Sequence, residues 1–471
     1  MNTRIFQRLS VFLLLCVCCC FMLQAEVVST PREKRPALRN YLISRATLTL
    51  LCGEHYNRTE VTPQMMSRWY DAYFDLLDGN RIYFLKSEVE GMRNMEGTLW
   101  NAESGYVNLE FALKVYELYL QRMEEWVKYS SQALNENHDY SVKEYMPVNQ
   151  EIDEIQWCGT REELRERWRL RIKNILLADK LDQEERQQRL EAKGDGKDGG
   201  QKPVARRKDI RERTRKKMEN LLKMRREADQ EEVMNFLLNA FAGLLDPHSS
   251  YILPMEKENF DISMSLSLQG IGATLQQRDS YTTVVDLIPG GPAARDGRLK
   301  PGDRIVAVAQ REDEEPEDVV DMALDKVVQR IRGPKGTMVY LTILPEGAAS
   351  EYVIRLVRDE VIIKDSEARG TLRILKNDNG ETKRLLHIYL PSFYCDFEAL
   401  ARGNSNYKSC SRDVANIIRN AQKRGAVDGV ILDLRGNGGG ALNEAVELCG
   451  LFTPGYVPVV QQQRADRSNK L

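Results

Sequence analysis

Apolar residues recur at helical spacing through the first half of the chain and break into short runs in the second half. From Pro31 to Glu232 the pattern is helical. Between Met65 and Leu77, apolar side chains fall at Met65, Met66, Trp69, Tyr70, Tyr73, Phe74 and Leu77, the stripe of an amphipathic helix. All five tryptophans (Trp69, Trp100, Trp126, Trp157 and Trp168) lie in this half. Aromatics on helical faces read as core, so this half predicts a helical domain. The glycine-rich stretch Lys193 to Pro203 predicts a surface loop inside it.

From Ser263 to Val357 the pattern changes to short runs of Val, Ile, Leu and Thr punctuated by Gly and Pro. It predicts strands at Thr282–Ile288, Arg304–Val308, Thr337–Leu344 and Tyr352–Val357, with a helix at Met322–Ile331. From Leu372 onward strand and helix alternate: strand Leu385–Leu390, helix Arg412–Lys423, strand Gly429–Leu434 and helix Leu442–Leu451. The nearly all-apolar run Gly429–Leu434 predicts a strand covered on both faces. After Gln461 the chain is polar with no core pattern. So few strands make a poor sheet, and an exposed apolar face is expected there. The fold class is multidomain α+β. Expected boundaries are 1–25 as a leader, 26–243 helical, 244–262 opening the last domain, 263–360 β-rich, and 361–471 an incomplete α/β core.

The leader follows from Arg4 and Arg8, an apolar run Leu9 to Leu23, and Ala25 before Glu26, the order of a secretory signal peptide. The alternative is an N-terminal anchor that stays attached, which would be the one tie to a membrane. An exported protein, periplasmic in a Gram-negative-type cell, is the expectation.

Composition changes this picture little. With 68 basic and 70 acidic residues the net charge is −2, which argues against binding nucleic acid through bulk positive charge. The basic run from Arg206 to Arg226 is interleaved with Asp209, Glu212 and Glu219, as on a solvated helix face. Of nine cysteines, Cys16, Cys18, Cys19 and Cys20 lie in the leader; Cys52, Cys158, Cys395, Cys410 and Cys449 remain. No C-x-x-C pair occurs, so neither a zinc site nor a dithiol redox motif is expected. A Cys395–Cys410 disulfide and unpaired buried thiols both stay open.

Three segments carry candidate chemistry. Gln269-Gly270-Ile271-Gly272-Ala273-Thr274 is a glycine turn leading into a strand, whose amides can hold a carboxylate while the strand edge pairs with an extended peptide. Downstream stand Gly290-Gly291-Pro292-Ala293-Ala294 and Arg332-Gly333-Pro334-Lys335-Gly336-Thr337. In this order the three motifs resemble a PDZ domain of the bacterial protease type. That resemblance implies binding of free C-termini, with Gly270, Ile271, Gly272 and Ala273 as the carboxylate loop and Leu268 lining the terminal pocket.

The second segment, Asp246-Pro247-His248-Ser249-Ser250-Tyr251, reads as a turn rather than a His–Ser dyad, because adjacent residues rarely face each other as base and nucleophile. The third is Leu432-Asp433-Leu434-Arg435-Gly436-Asn437-Gly438-Gly439-Gly440-Ala441. A strand opening through glycines onto a helix start suits an oxyanion hole or a phosphate. The Walker and dinucleotide spacings both fail, so the oxyanion hole leads, with Gly438, Gly439 and Gly440 as candidates.

Together the segments resemble the tail-specific, or C-terminal processing, proteases of serine peptidase family S41. The resemblance implies a PDZ-selected endopeptidase acting on exported polypeptides with apolar C-termini. It implies a Ser nucleophile, a Lys base and no metal or other cofactor; an adaptor protein is a candidate further partner that the sequence leaves open. After Gly440 the only Ser is Ser468 and the only Lys is Lys470. Neither follows a hydrophobic strand, so neither matches the dyad, and the 471-residue chain alone is expected to be inactive. Two explanations are open: a piece of a full protease, or a short non-catalytic product that binds peptide tails. On the loop assignment, Gly270→Asp places a negative charge beside the bound carboxylate and abolishes binding of a tail peptide; unchanged affinity in a titration would refute the assignment.

Overall fold

The computed structural model describes residues 35–57, 59–146, 155–192, 209–278, 280–348, 350–376, 379–455, 457–463 and 469–470. The expected leader, with its four cysteines, and the loop 193–203 lie outside the described residues. The chain divides into two compact units, Met1–Leu253 and Pro254–Leu471.

The first unit is helical: α1 (Arg35–Glu54), α2 (Pro63–Leu77), α3 (Lys86–Gly91), α4 (Leu109–Ala133), α5 (Arg161–Ala192), α6 (Ile210–Arg226) and α7 (Gln230–Ala242). A two-residue hairpin, β1 (Trp100–Asn101) with β2 (Tyr106–Val107), precedes α4. Side-chain caps set the helix starts. Thr62 accepts from the Met65 amide at 3.2 Å, and Asn108 accepts from that of Phe111 at 3.1 Å. Asp229 and Glu232 form a reciprocal capping box at the start of α7.

The apolar stripe of α2 buries Trp69, Tyr70, Tyr73 and Phe74 completely against α7 and α4. Their polar atoms are satisfied in place. Trp69 Nε1 donates to the Leu237 carbonyl at 2.8 Å, Tyr73 Oη to that of Ala112 at 3.0 Å, and Trp168 Nε1 to that of Ile82 at 2.6 Å. Truncating one such side chain to alanine costs about 3–5 kcal/mol. The remaining tryptophans, Trp100, Trp126 and Trp157, pack against the same core.

The turn at Asp246 belongs to this helical unit. Leu244, Leu245 and Tyr251 pack into its core, so the segment expected to open the last domain instead closes the first. Asp246 Oδ1 accepts from the amides of His248 (2.6 Å) and Ser249 (2.9 Å). Its Oδ2 accepts from Ser249 Oγ (2.6 Å) and lies 2.6 Å from His55 Nε2. His55 Nδ1 accepts from the Asn57 amide at 3.0 Å, so the ring proton sits on Nε2 and is donated to Asp246. His, Asp and Ser meet here, yet the serine bonds to the aspartate and both imidazole nitrogens are occupied. The trio ties the end of α1 to the turn and contains no base for a nucleophile.

The second unit begins with α8 (Pro254–Ser265) and β3 (Ser267–Gly270). Then come β4 (Ala273–Arg278), β5 (Tyr281–Leu287), α9 (Pro292–Asp296), β6 (Arg304–Ala309), β7 (Glu317–Asp318), α10 (Leu324–Ile331), β8 (Met338–Leu344) and β9 (Tyr352–Val357). The antiparallel sheet runs in the order β4-β5-β6-β8-β9, with β7 paired to β6, and β4 forms its edge. Helix α10 starts two residues later than the periodicity predicts, because Asp321 takes φ +62° and the Met322 amide bonds back to Val319.

Strand β10 (Asp359–Ile362) pairs antiparallel with β3, setting Asp359 opposite Gly270. Next come β11 (Arg369–Lys376), β12 (Thr382–Tyr389), α11 (Phe397–Ala401), α12 (Cys410–Lys423), β13 (Gly429–Asp433) and α13 (Leu442–Gly450). β11 pairs antiparallel and β13 parallel with β12. β13 departs from the expectation of two covered faces. It forms an edge of a three-stranded sheet, and Ile431 is 49% exposed. Among the described residues no helix is long and apolar enough to cross a membrane, and no cluster of three or more His, Cys, Asp or Glu could hold a metal ion.

The hydrogen bonds from Ser249 and then His55 hold the Asp246 carboxyl well below the usual carboxylate range. A depressed folded pKa gives stability that is complete above the unfolded value of about 3.9 and is lost as pH falls through it toward the folded value. Thermal melts from pH 7 down to pH 3 are therefore expected to fall more steeply below about pH 4 for the parent chain than for Asp246→Asn.

Candidate functional site

A groove of about 640 Å³ opens between the free edge of β4 and helix α10. Apolar side chains of Ile262, Leu268, Ile271, Leu275, Val328 and Ile331 form much of its wall, with Asp286, Lys364 and Asp365 among the polar residues that also line it. All five residues singled out in the sequence for peptide binding, Leu268, Gly270, Ile271, Gly272 and Ala273, line it. At its end the chain turns through Gly272 at φ +73°, where an added Cβ would come within 3.1 Å of the Gly291 Cα. A side chain there is excluded by conformation and by space together.

The turn also orients the backbone. The Ile271 carbonyl accepts from the Ala293 amide and the Gly272 carbonyl from that of Ile288, each at 2.9 Å. With the carbonyls drawn toward the 288–293 segment, no acceptor among the described residues takes the amides of Ile271 and Gly272. Two unpaired N–H groups beside an apolar slot and an open strand edge form a receptor for a chain end: amides for the carboxylate, apolar walls for the last side chain, and a ladder for the strand.

Arg332 also lines the groove, with Nη1 donating to Asn259 Oδ1 at 2.8 Å and lying 3.6 Å from Glu258. Sequence reasoning missed Arg332, Ile262, Val328 and Ile331. For Val328 and Ile331 a signal existed, since i and i+3 on the predicted helix share a face.

The glycine turn after β13 is a second constructed site. The Asp433 carboxylate, almost buried, accepts from Arg435 at its amide (3.1 Å), Nε (2.9 Å) and Nη2 (2.6 Å), with His387 Nε2 at 3.0 Å. These bonds, Arg435 first, hold its carboxyl well below the usual range. Asn437 then folds the loop: Nδ2 donates to the Leu390 carbonyl at 3.0 Å, and Oδ1 accepts from the Gly439 amide at 2.8 Å. Phe393 grips the far side, its amide donating to the Gly439 carbonyl (2.9 Å) and its carbonyl accepting from the Ala441 amide (2.8 Å).

The three glycines therefore differ. The Gly439 amide is occupied by Asn437. The amides of Gly438 and Gly440 have no acceptor among the described residues. These two remain free to face developing negative charge, next to the start of α13.

Buried Glu444 holds that helix in place. Its Oε2 accepts from Ser409 Oγ (2.8 Å) and the Ser411 amide (2.9 Å), so one carboxylate of α13 caps the N-terminus of α12. All five cysteines of the described chain are free thiols. Burial, then Glu444, pushes the Cys395 thiol up to about 11, and burial raises that of Cys410 further. Both stay protonated at neutral pH and make poor nucleophiles.

At Gly440, φ is +144° and an added Cβ would lie 2.3 Å from the Phe393 carbonyl oxygen, a backbone atom with little room to move. Gly440→Ala is expected to cost about 2–4 kcal/mol, read as a lower denaturation midpoint; a loss under about 0.5 kcal/mol would refute the close approach.

Comparison with known proteins returns three family models in series: the tail specific protease N-terminal domain over residues 47–255, the PDZ domain over 260–344 and peptidase family S41 over 387–471. The tail-specific protease of Haemophilus influenzae is 30% identical over 425 residues, covering 90% of this chain and 55% of that protein. The carboxy-terminal processing protease CtpA of Bacillus subtilis is 30% identical over 208 residues, covering 44% of this chain and 38% of that one. The chain thus spans about half the length, or less, of these curated relatives. Among solved structures, the PDZ domain of a Vibrio cholerae carboxy-terminal protease, crystallised with a peptide, is 51% identical and covers 20% of this chain and 97% of that one, with a TM-score of 0.20. With three family models matched in order, and a tail-specific protease aligned along nine-tenths of this chain, the chain belongs to the tail-specific proteases of peptidase family S41.

Proposed function

We propose that the groove captures the free, apolar C-terminal ends of polypeptides and delivers them to a serine-type endopeptidase centre. One observation carries the reading: an unpaired strand edge, two unpaired amides and an apolar slot meet at Gly270–Ala273. The incoming end adds as a strand to β4. The Ile271 and Gly272 amides take its carboxylate, and Leu268, Ile271, Val328 and Ile331 enclose its last side chain. Membership of the family supports the hydrolytic half of the proposal.

In the chemistry proposed, a serine hydroxyl activated by a lysine amine attacks the peptide carbonyl. The amides of Gly438 and Gly440 would then stabilise the tetrahedral oxyanion. The roles assigned to named residues of this chain are recognition, at Leu268 to Ala273, and oxyanion stabilisation, at Gly438 and Gly440. The Arg4 to Ala25 leader supports action on exported proteins in a periplasmic space.

Hydrogen bonds to a charged group are worth about 1.5–3 kcal/mol each. A labelled peptide with an apolar end and a free carboxylate should therefore bind at least about tenfold more tightly than its C-terminal amide. Fluorescence anisotropy on the 471-residue chain measures the ratio; equal affinities would overturn the reading.

A further inference from the structure

Arg358 stands between β9 and β10 and is 3% exposed, yet among the described residues no carboxylate pairs with it. A buried cation without a counter-charge is costly unless dipoles replace the lost water. Here five neutral acceptors do so. Nε donates to the Ile331 carbonyl (2.8 Å), and Nη1 to the Met338 carbonyl (2.7 Å) and Thr337 Oγ1 (3.0 Å). Nη2 donates to Gln310 Oε1 (2.6 Å) and the Arg330 carbonyl (3.0 Å).

Two of these acceptors, Arg330 and Ile331, are the last carbonyls of α10, where the helix carries partial negative charge. The guanidinium is thus an external cap on the helix that forms one wall of the groove. Gly333, just past the helix end, leaves it room: a Cβ there would lie 3.0 Å from both Cζ and Nε of Arg358.

The same residue also leads into the other wall. The Arg358 amide donates to the Thr337 carbonyl, and its carbonyl accepts from the Gly336 amide, each at 2.8 Å. The next residue, Asp359, is anchored by Lys335 (2.9 Å) and Arg295 (2.8 Å) and stands in register with Gly270. One side chain therefore holds the position of α10, while its own backbone starts the strand that fixes the carboxylate loop.

We infer that Arg358 is a positioning residue for tail recognition, setting the spacing between the α10 wall and the Gly270–Ala273 loop. This rests on the groove being the tail site. The role requires the planar five-donor fork, which a lysine ammonium cannot reproduce even though it keeps the charge.

The test titrates the full chain, Arg358→Lys and Gly333→Ala with the same apolar-ended peptide as free acid and as amide. The second variant keeps the arginine but crowds its guanidinium, so the inference does not depend on one substitution folding well. A fall in the folded fraction weakens both peptides by the same factor and leaves their ratio untouched. The expected result is a free-acid preference of at least about tenfold in the parent chain that shrinks to about threefold or less in both variants. A ratio unchanged in the variants, whether or not both affinities drop together, overturns the positioning role and leaves the tail-binding function standing. No preference in the parent chain overturns the tail-site reading itself, and this inference with it.

Discussion

A backbone amide can receive a carboxylate only if nothing else has taken it. In the groove that condition is met at the turn where Gly272 adopts a left-handed φ against the Cα of Gly291. The close approach lets the carbonyls of residues 271 and 272 bond toward the 288–293 segment, leaving their amides free. The groove and its open edge depend on this turn. With any side chain at position 272 the two segments would separate, and the wall they share would lose its shape.

Much of this could be read in the sequence. The tryptophan-bearing helices, the apolar strands β6, β8 and β9, and both glycine turns are local features, and each has a local pattern. What could not be read depends on partners distant in the chain. β3 and β10 are short, carry Ser267, Gln269, Asp359 and Glu360, and pair across some ninety residues of sequence. β11 is almost wholly exposed, so it shows little of the alternation that marks a half-buried strand. The His55–Asp246 bond joins residues 191 positions apart. The three adjacent glycines looked equivalent in sequence and are not. Asn437 and Phe393 give each a different backbone role, and neither partner could be inferred from spacing.

Polar groups in the two units are buried under one rule with different outcomes. In the helical unit the donors of Trp69, Tyr73 and Trp168 are each satisfied by a backbone carbonyl, so the aromatic core loses little by carrying them. In the second unit single charges serve as braces. Asp433 organises the strand end through Arg435 and His387. Glu444 joins two helix starts. The Glu444 brace is rigid because its carboxyl is fully buried, so a lost partner is not replaced by water.

The free edge of β4 carries a hazard along with its use. An unpaired strand edge invites any extended chain, including another copy of the same sheet, and so invites aggregation. Here α10 lies alongside that edge, so the space beside β4 is a slot closed on its far side. A single strand end can thread into it, whereas a second sheet, which brings its neighbouring strands along, meets the helix first. The wall that grips a ligand thereby also guards the edge against pairing with its own kind.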